Sequence, residues 1–164
     1  GQNHFYGHQK LGAKTAKKIL KRLKFDNDTI DKVVHLISWH DYRFTLTAKG
    51  IRKATAKIGK EYMELLFEVN RADTSAKNPA NMDEKYQKLS EAKRLYKEML
   101  EEGSCVTLED LAISGKDLIE QGYKPGKEMG QLLNKLLDAV INDPKLNDKE
   151  ILLNLASEFS NEKA

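Results

Sequence analysis

The sequence predicts an all-α fold, and three observations support this prediction. Apolar residues recur at spacings of three and four along most of the chain, which is typical of helices that bury one stripe. Capping residues stand where these segments start, and Gly or Pro where they end. No stretch alternates apolar and polar residues over the length of a strand. We expect a helical bundle over residues 1–78, joined through a long helix to a smaller helical tail module within residues 79–164.

The bundle is predicted to begin with a helix over residues 9–24. Its inner side is expected to hold Leu11, Ala16, Ile19, Leu20 and Leu23. Its outer side carries basic residues and no acidic one, namely Lys10, Lys14, Lys17, Lys18, Lys21, Arg22 and Lys24. Like charges at this spacing repel by roughly a few tenths of a kcal/mol per pair. An anionic partner that neutralises these charges would relieve the repulsion, which favours a binding face. A solvated face is the alternative.

Three further helices complete the predicted bundle. Asp26 begins a capping cluster before a helix over residues 28–40, and Thr47 is the expected N-cap of a third helix that Gly59 ends. The fourth helix is predicted over residues 60–76. Its expected buried residues include Met63, Leu66 and Phe67. Connections this short favour antiparallel neighbours.

The second part is predicted to start after Pro79, because proline cannot continue a helix. A long helix rich in Lys and Glu follows over residues 83–102, and Gly103 ends it. Thr107 and Asp110 have the spacing of a capping box, with Asp in the usual Glu position.

The tail module is organised around the bend, the segment Gly-Tyr-Lys-Pro-Gly at residues 122–126. Gly122 can adopt the positive φ that ends a helix, and Pro125 suits the first turn of the next one. The apolar positions of that next helix are Met129, Leu132, Leu133, Leu136, Leu137, Val140 and Ile141. Pro144 stops it before a last helix capped by residues 147–148.

The bend is also a candidate phosphate site. A helix that starts after Gly126 presents unpaired backbone N–H groups and the positive end of its dipole. Gly126 would let a ligand approach the backbone, and Lys116, Lys124 and Lys127 flank it. The alternative is that the bend only joins two helices and contacts water.

Composition and charge narrow the class of protein. The 164 residues are 40% hydrophobic and 32% charged, and no run approaches the roughly 18 apolar residues of a membrane span. The chain has no signal peptide and a single cysteine, so it is predicted to be cytoplasmic. That cysteine, Cys105, is expected to be buried and inert.

The charge is unevenly distributed. Residues 1–80 hold 16 Lys and Arg against 8 Asp and Glu, a balance of +8, whereas the balance of residues 81–164 is −5. The first half is therefore the one expected to face a polyanion.

Two stretches are distinctive in combination. The first is Phe-Tyr-Gly-His at residues 5–8, followed by Gly12-Ala13 and by Ile-Leu-Lys-Arg-Leu-Lys-Phe at residues 19–25. The second is Leu-Ala-Ile-Ser-Gly-Lys-Asp-Leu-Ile at residues 111–119, followed by Gly122, Pro125-Gly126 and Gly130. In order and spacing, they resemble the C-terminal body and tail of bacterial tRNA nucleotidyltransferases of the CCA-adding and poly(A) polymerase type.

The resemblance implies a division of labour. Members of this family transfer nucleotides in an N-terminal head, where carboxylates hold two metal ions, and select the nucleotide in a neck, whereas body and tail hold the acceptor stem and elbow of tRNA. This chain has no Gly-Ser followed by Asp-x-Asp and no neck motif. It is therefore expected to be a fragment that is not active alone. No cofactor is expected in this segment, since Mg and nucleotide triphosphates would be used in the missing head.

The resemblance also implies partners and contact residues. The expected partners are tRNA and the N-terminal head and neck of the parent chain, with no membrane; a homodimer is left open. The residues expected to bind RNA are Lys17, Lys21, Arg22, Arg52, Lys53, Lys57, Lys116, Lys124, Gly126 and Lys127. They would contact sugar and phosphate, which positions an RNA without reading its sequence.

The start of the chain also resembles the later part of an HD-type metal-dependent phosphohydrolase domain, which some members carry. His8, His40 and Asp73 match later metal-ligand positions of that domain, while its first His and its His-Asp doublet would precede residue 1.

Two alternatives to tRNA binding stay open. One is an HD-type phosphohydrolase fragment, and the other is a helical protein-interaction module that uses the long acidic helix. The choice between CCA, part of CCA and poly(A) resides in the head and neck.

Overall fold

The structure, a computed structural model, describes residues 8–76 and 82–161. Within these ranges the chain forms α-helices and short 3-10 turns without any strand, so the predicted all-α fold is confirmed. The helices are α1 (His8–Arg22), α2 (Asn27–Trp39), α3 (Ala48–Ile58), α4 (Lys60–Ser75), α5 (Met82–Glu101), α6 (Gly115–Glu120), α7 (Lys127–Asn142) and α8 (Lys149–Asn161). The Phe-Tyr-Gly motif at residues 5–7 and the predicted break at Pro79 lie outside the described residues.

The described chain divides into two compact units. Unit 1 contains residues 8–45, 58–76 and 82–93, and unit 2 contains residues 46–57 and 94–161. All of α3 except its last residue therefore groups with the C-terminal part of the chain, and α5 contributes to both units. The domain division expected between residues 78 and 79 stays a prediction.

Helix α1 packs on α2 through small residues. Gly12 lies so close to α2 that an added Cβ would be 3.3 Å from Cγ2 of Ile37, and Ala13 is buried. This contact turns three of the expected inner residues outward: Leu11 is 68% exposed, Ile19 43% and Leu23 58%. The expected inner side of α1 was therefore wrong for these three, because the face with the smallest side chains lets the two backbones approach most closely. We call Leu11, Ile19 and Leu23 the apolar row.

Unit 1 has an aromatic interior. His35 stacks on Tyr62 with ring centroids 4.0 Å apart, and its Nε2 donates a hydrogen bond to the Ile58 carbonyl at 2.6 Å. Phe44 and Phe67 lie 5.2 Å apart between centroids, and Phe67 is fully buried. Met63 and Leu66 are also buried, as the sequence predicted for α4.

The predicted helix starts are confirmed. The Asp26 carboxylate accepts hydrogen bonds from the Thr29 amide at 2.8 Å and from the Thr29 hydroxyl at 2.7 Å, which caps α2. Thr47 Oγ1 accepts the Gly50 amide at 3.0 Å at the start of α3. Asp148 accepts the amides of Glu150 and Ile151 at the start of α8.

The core of unit 2 lies where α6, α7 and α8 meet. Its buried residues are Cys105, Leu111, Ile113, Leu118, Met129, Leu132, Leu136, Val140, Leu152 and Ala156. Asn147 ties the segment before α6 to this core, since its side chain accepts the Ala112 amide at 2.8 Å and donates to the Asp110 carbonyl at 2.9 Å. Among the helices that the structure describes, none combines the length and apolar character that crossing a lipid bilayer requires.

Candidate functional site

The bend begins with a glycine-terminated helix end. The Gly122 amide donates to the Ile119 carbonyl at 2.9 Å, and the Tyr123 amide donates to the Leu118 carbonyl at 3.1 Å. This pair of bonds is a Schellman motif, and Gly122 adopts the left-handed conformation it requires, with φ 90°. The sequence-based prediction that Gly122 ends α6 with positive φ is confirmed.

The second glycine of the bend leaves its backbone open. Gly126 has φ 153° and ψ −168°, a conformation that is essentially restricted to glycine. A Cβ added at Gly122 or at Gly126 would meet no atom within 4 Å, so the space beside both residues is empty of protein atoms. Residues 124–128 are exposed. The bend therefore offers its backbone to a ligand.

The first turn of α7 is uncapped. No side chain caps Gly126, and its carbonyl accepts the Gly130 amide at 3.2 Å. Within the described ranges, the amides of Lys127, Glu128 and Met129 have no hydrogen-bond acceptor. These N–H groups and the positive end of the helix dipole favour an anion.

Three lysines stand near these amides. Lys124 lies in the bend and Lys127 is the first residue of α7; both are exposed. Lys116 is in the first turn of α6, and that turn lies beside α7, since a Cβ added at Gly115 would be 3.4 Å from the Met129 sulfur. No carboxylate of the described chain forms an ion pair with any of the three lysines. Their positive charge is therefore available to an external anion.

The start of α6 is fixed by a second capping box, which sequence reasoning missed. The Asp117 carboxylate accepts the Ser114 amide at 2.8 Å and the Ser114 hydroxyl at 2.7 Å, and it pairs with the ammonium group of Lys149 on α8. The Lys149 ion pair, followed by the two bonds from Ser114, holds the pKa of Asp117 well below its usual range. The signal was present as Ser followed three residues later by Asp.

Lys17 and Lys21, two of the predicted RNA contacts, share one face of α1. Lys10 and Lys14 continue that face at spacings of four and three, and all four side chains are exposed. We call Lys10, Lys14, Lys17 and Lys21 the lysine face. Arg22 is exposed but follows Lys21 directly, so it points about 100° away around the helix.

The basic residues of α3 belong to unit 2, not to the unit that carries the lysine face. Lys53 and Lys57 are exposed and one helical turn apart. Lys49 extends their row by a further turn and was not among the predicted contacts. The expected contacts on the bundle are therefore divided between the two units.

Arg52 is buried and is therefore not part of the candidate surface. Its side chain is only 7% exposed, and its Nε donates a hydrogen bond to the Ile141 carbonyl at 3.0 Å. Ile141 is in the last turn of α7, where carbonyl groups have no partner within their own helix. Arg52 thus satisfies the end of α7, and burial keeps it from an external phosphate.

The proposed metal ligands are not brought together in the described structure. His40 donates from Nδ1 to the Ile37 carbonyl at 2.7 Å, and its Nε2 lies 3.6 Å from Oδ1 of Asp41. Asp73 is half-buried near the end of α4, and the side chain of His8 lies outside the described residues. Among the described residues, no group of three or more His, Cys, Asp or Glu side chains could hold a metal ion. A site that includes His8 stays a prediction.

Cys105 is buried, as predicted. It is 3% exposed, and its thiol donates to the Thr107 carbonyl at 3.7 Å. Burial, with a smaller contribution from the negative charge of Asp110, raises the pKa of the Cys105 thiol to about 11. A thiol held in this form is a poor nucleophile at neutral pH.

Comparison with known proteins gives one family match and two partial relatives. The model of the family described as tRNA nucleotidyltransferase domain 2 matches residues 5–156. A CCA-adding enzyme of Ligilactobacillus salivarius (strain UCC118) is 46% identical over 55 residues, which are 33% of this chain and 14% of that protein. A CCA-adding enzyme of Pediococcus pentosaceus (strain ATCC 25745) is 47% identical over 51 residues, 30% of this chain and 13% of that protein. The aligned stretch is thus a small part of each relative, and no solved structure matches the chain.

Proposed function

This chain belongs to the tRNA nucleotidyltransferase domain 2 family, and on that premise we propose that it holds tRNA by its sugar-phosphate backbone. In this proposal the chain is the body and tail of a tRNA nucleotidyltransferase. Nucleotide addition to the 3′ end takes place in a head and neck that lie outside this sequence. Mg and nucleotide triphosphates would act in that head, and the whole enzyme would work in the cytoplasm.

The observation that carries the proposal is the open bend. It combines uncapped amides at the start of α7, empty space beside Gly122 and Gly126, and exposed ammonium groups at Lys124 and Lys127. Backbone N–H groups and lysines bind phosphate without reading a base, which suits a surface that must accept many tRNA sequences. The bend and the lysines of α6 and α7 therefore form the first contact region of the proposal.

The lysine face of α1 supports a second contact region. Four exposed ammonium groups lie along it, and no acidic residue occurs within α1 to neutralise them. Lys53 and Lys57 on α3 are further candidates. Because these residues are divided between two units, each group is a separate hypothesis and needs its own variant.

The test is a binding measurement with an in vitro transcribed tRNA that lacks its 3′ CCA. Charge reversal at Lys124 and Lys127, or at Lys17 and Lys21, is expected to weaken binding by at least about tenfold, since each removes two phosphate contacts. Reversal of Lys85 and Lys97 on α5 changes the net charge equally and serves as the matched control. If all three double variants weaken tRNA binding equally, the effect depends on net charge alone. That result would reject the assignment of the bend and of the lysine face as contact surfaces.

A protein-interaction role is the second candidate function, and the apolar row of α1 favours it. Leu11 and Ile19 on α1, and Leu23 directly after it, are between 43% and 68% exposed, whereas scattered single apolar side chains need no explanation. The exposed surface that favours an interaction role therefore lies on α1, whereas the sequence predicted it on α5. Sedimentation over a range of concentrations tests self-association, with Leu11→Glu as the variant expected to abolish it.

A further inference from the structure

An open groove lies beside the bend in unit 2. Its volume is about 420 Å³, within the range of small-ligand sites. Two aromatic side chains line it, Tyr123 from the bend and Phe159 from the end of α8. Both are half-buried and pack against the core of unit 2, so their rings are held in place and partly open to the groove.

The charged groups of the groove are mostly basic. Lys124 and Lys135 line it together with one carboxylate, Glu128. The ammonium nitrogen of Lys135 lies 5.4 Å from the centroid of the Phe159 ring, within the range of a cation–π contact. Lysine is long and flexible, so Lys135 can leave the ring and follow a phosphate while the ring stays in place.

Aromatic rings next to lysines are the elements with which proteins bind unpaired nucleotides. A nucleobase stacks on the ring, and the adjoining phosphate pairs with the ammonium group. The apolar side chains of Met129 and Leu132 also line the groove, which suits a base and not a phosphate alone. Lys124, which lines the groove, is also part of the bend.

We propose that this groove binds one unpaired nucleobase of an RNA whose backbone lies along the bend. The proposal rests on the proposed function and adds to it a contact with a base. Phe159 supplies the stacking surface, and Lys124 and Lys135 hold the phosphates on either side of the base. The bound RNA must therefore have an unstacked nucleotide, in a loop or at an end.

The test uses two RNA probes of equal phosphate count. One is a hairpin with 2-aminopurine in its loop, and the other is a blunt duplex with 2-aminopurine inside the stack. Wild-type protein is expected to quench the hairpin fluorescence when it binds. Phe159→Leu keeps an apolar side chain but no ring; it is expected to abolish the quenching and to weaken hairpin binding by about fivefold or more, with duplex binding unchanged.

Two control variants separate stacking from folding. Phe159→Tyr keeps the ring and is expected to quench as the wild type does. Phe25→Leu removes an exposed aromatic ring in unit 1 and is expected to change nothing. If Phe159→Leu quenches as strongly as the wild type, the base site is overturned while salt-dependent tRNA binding still supports the proposed function. The affinity of AMP is measured from the NMR shifts of groove residues. If AMP binds as tightly as the hairpin does, the RNA occupant is overturned in favour of a free nucleotide.

Discussion

Arg52 on α3 donates a hydrogen bond from Nε to the carbonyl oxygen of Ile141 on α7, at 3.0 Å and across 89 residues of sequence. The guanidinium group thus serves an otherwise unpaired carbonyl, and its positive charge lies at the negative end of the α7 dipole. A basic residue that resembles a surface contact in the sequence is therefore part of the interior of unit 2.

Replacing Arg52 should affect stability and not RNA affinity. Arg52→Met is expected to lower the free energy of unfolding by about 1.5–3 kcal/mol, because it leaves the Ile141 carbonyl without a charged donor. Lys53→Met, at the exposed neighbouring position, should change it by less than about 0.5 kcal/mol. Urea titration of both variants measures the difference. A stable Arg52→Met protein with impaired tRNA binding would return Arg52 to the contact surface.

Lys24 should be a stabilising site for glycine. The Phe25 amide donates to the Leu20 carbonyl at 3.1 Å, so α1 ends in the same motif as α6, but Lys24 holds the left-handed position with φ 60°. A non-glycine residue there costs roughly 1–2 kcal/mol, partly offset by the extra freedom of glycine in the unfolded chain. Lys24→Gly is therefore expected to raise the free energy of unfolding by about 0.5–1 kcal/mol.

The matched control for that variant is Lys18→Gly. Lys18 is an exposed residue in the interior of α1, where glycine should destabilise by about 1 kcal/mol. Thermal unfolding monitored by circular dichroism distinguishes the two changes by their sign. If both substitutions destabilise the protein, the left-handed conformation of Lys24 carries no strain.

Asp117 should give the protein an acid-sensitive component of stability. Its ion pair with Lys149 and its bonds from Ser114 lower the pKa of the folded carboxyl, so this stabilisation is fully present above the unfolded pKa of about 4. It is lost as the pH falls through the lower folded pKa. The difference in unfolding free energy between wild type and Asp117→Asn should therefore shrink as the pH falls below about 4. A difference that stays constant down to pH 2 would contradict this linkage.

Cys105 should react slowly in the folded protein. With its pKa raised to about 11, the thiolate fraction at pH 8 is roughly 200-fold lower than for a free thiol. Labelling by a disulfide reagent at pH 8 should therefore be at least about 100-fold slower in buffer than in 8 M urea, since burial adds to the effect. Equal rates would mean that the thiol is exposed in solution.

The helix starts and ends could be predicted because each depends on a few neighbouring residues. Asp26, Thr47 and Gly122 act within three or four positions of themselves, and the sequence displays those positions directly. The buried stripe of α7 was predictable for a similar reason, since a long amphipathic helix that packs on a core turns its apolar face towards that core.

The orientation of α1 and the burial of Arg52 could not be predicted in this way. Helix α1 has apolar residues on more than one side, and its contact with α2 depends on how closely Gly12 approaches Ile37. Arg52 has its acceptor 89 residues away, so no local pattern marks it. The same distinction applies to the candidate site. The bend is a local feature and was predicted, whereas the groove lined by Tyr123 and Phe159 depends on how α8 packs.

The salt dependence of tRNA binding tests the central proposal most directly. We predict that the logarithm of the association constant falls linearly with the logarithm of salt concentration, and that reversal of Lys124 and Lys127 makes the slope shallower by roughly two, one for each lost phosphate contact. The Lys85 and Lys97 control should keep the wild-type slope. Equal affinity at about 50 and about 300 mM salt, or a slope that reversal of Lys124 and Lys127 leaves unchanged, would contradict backbone binding at the bend.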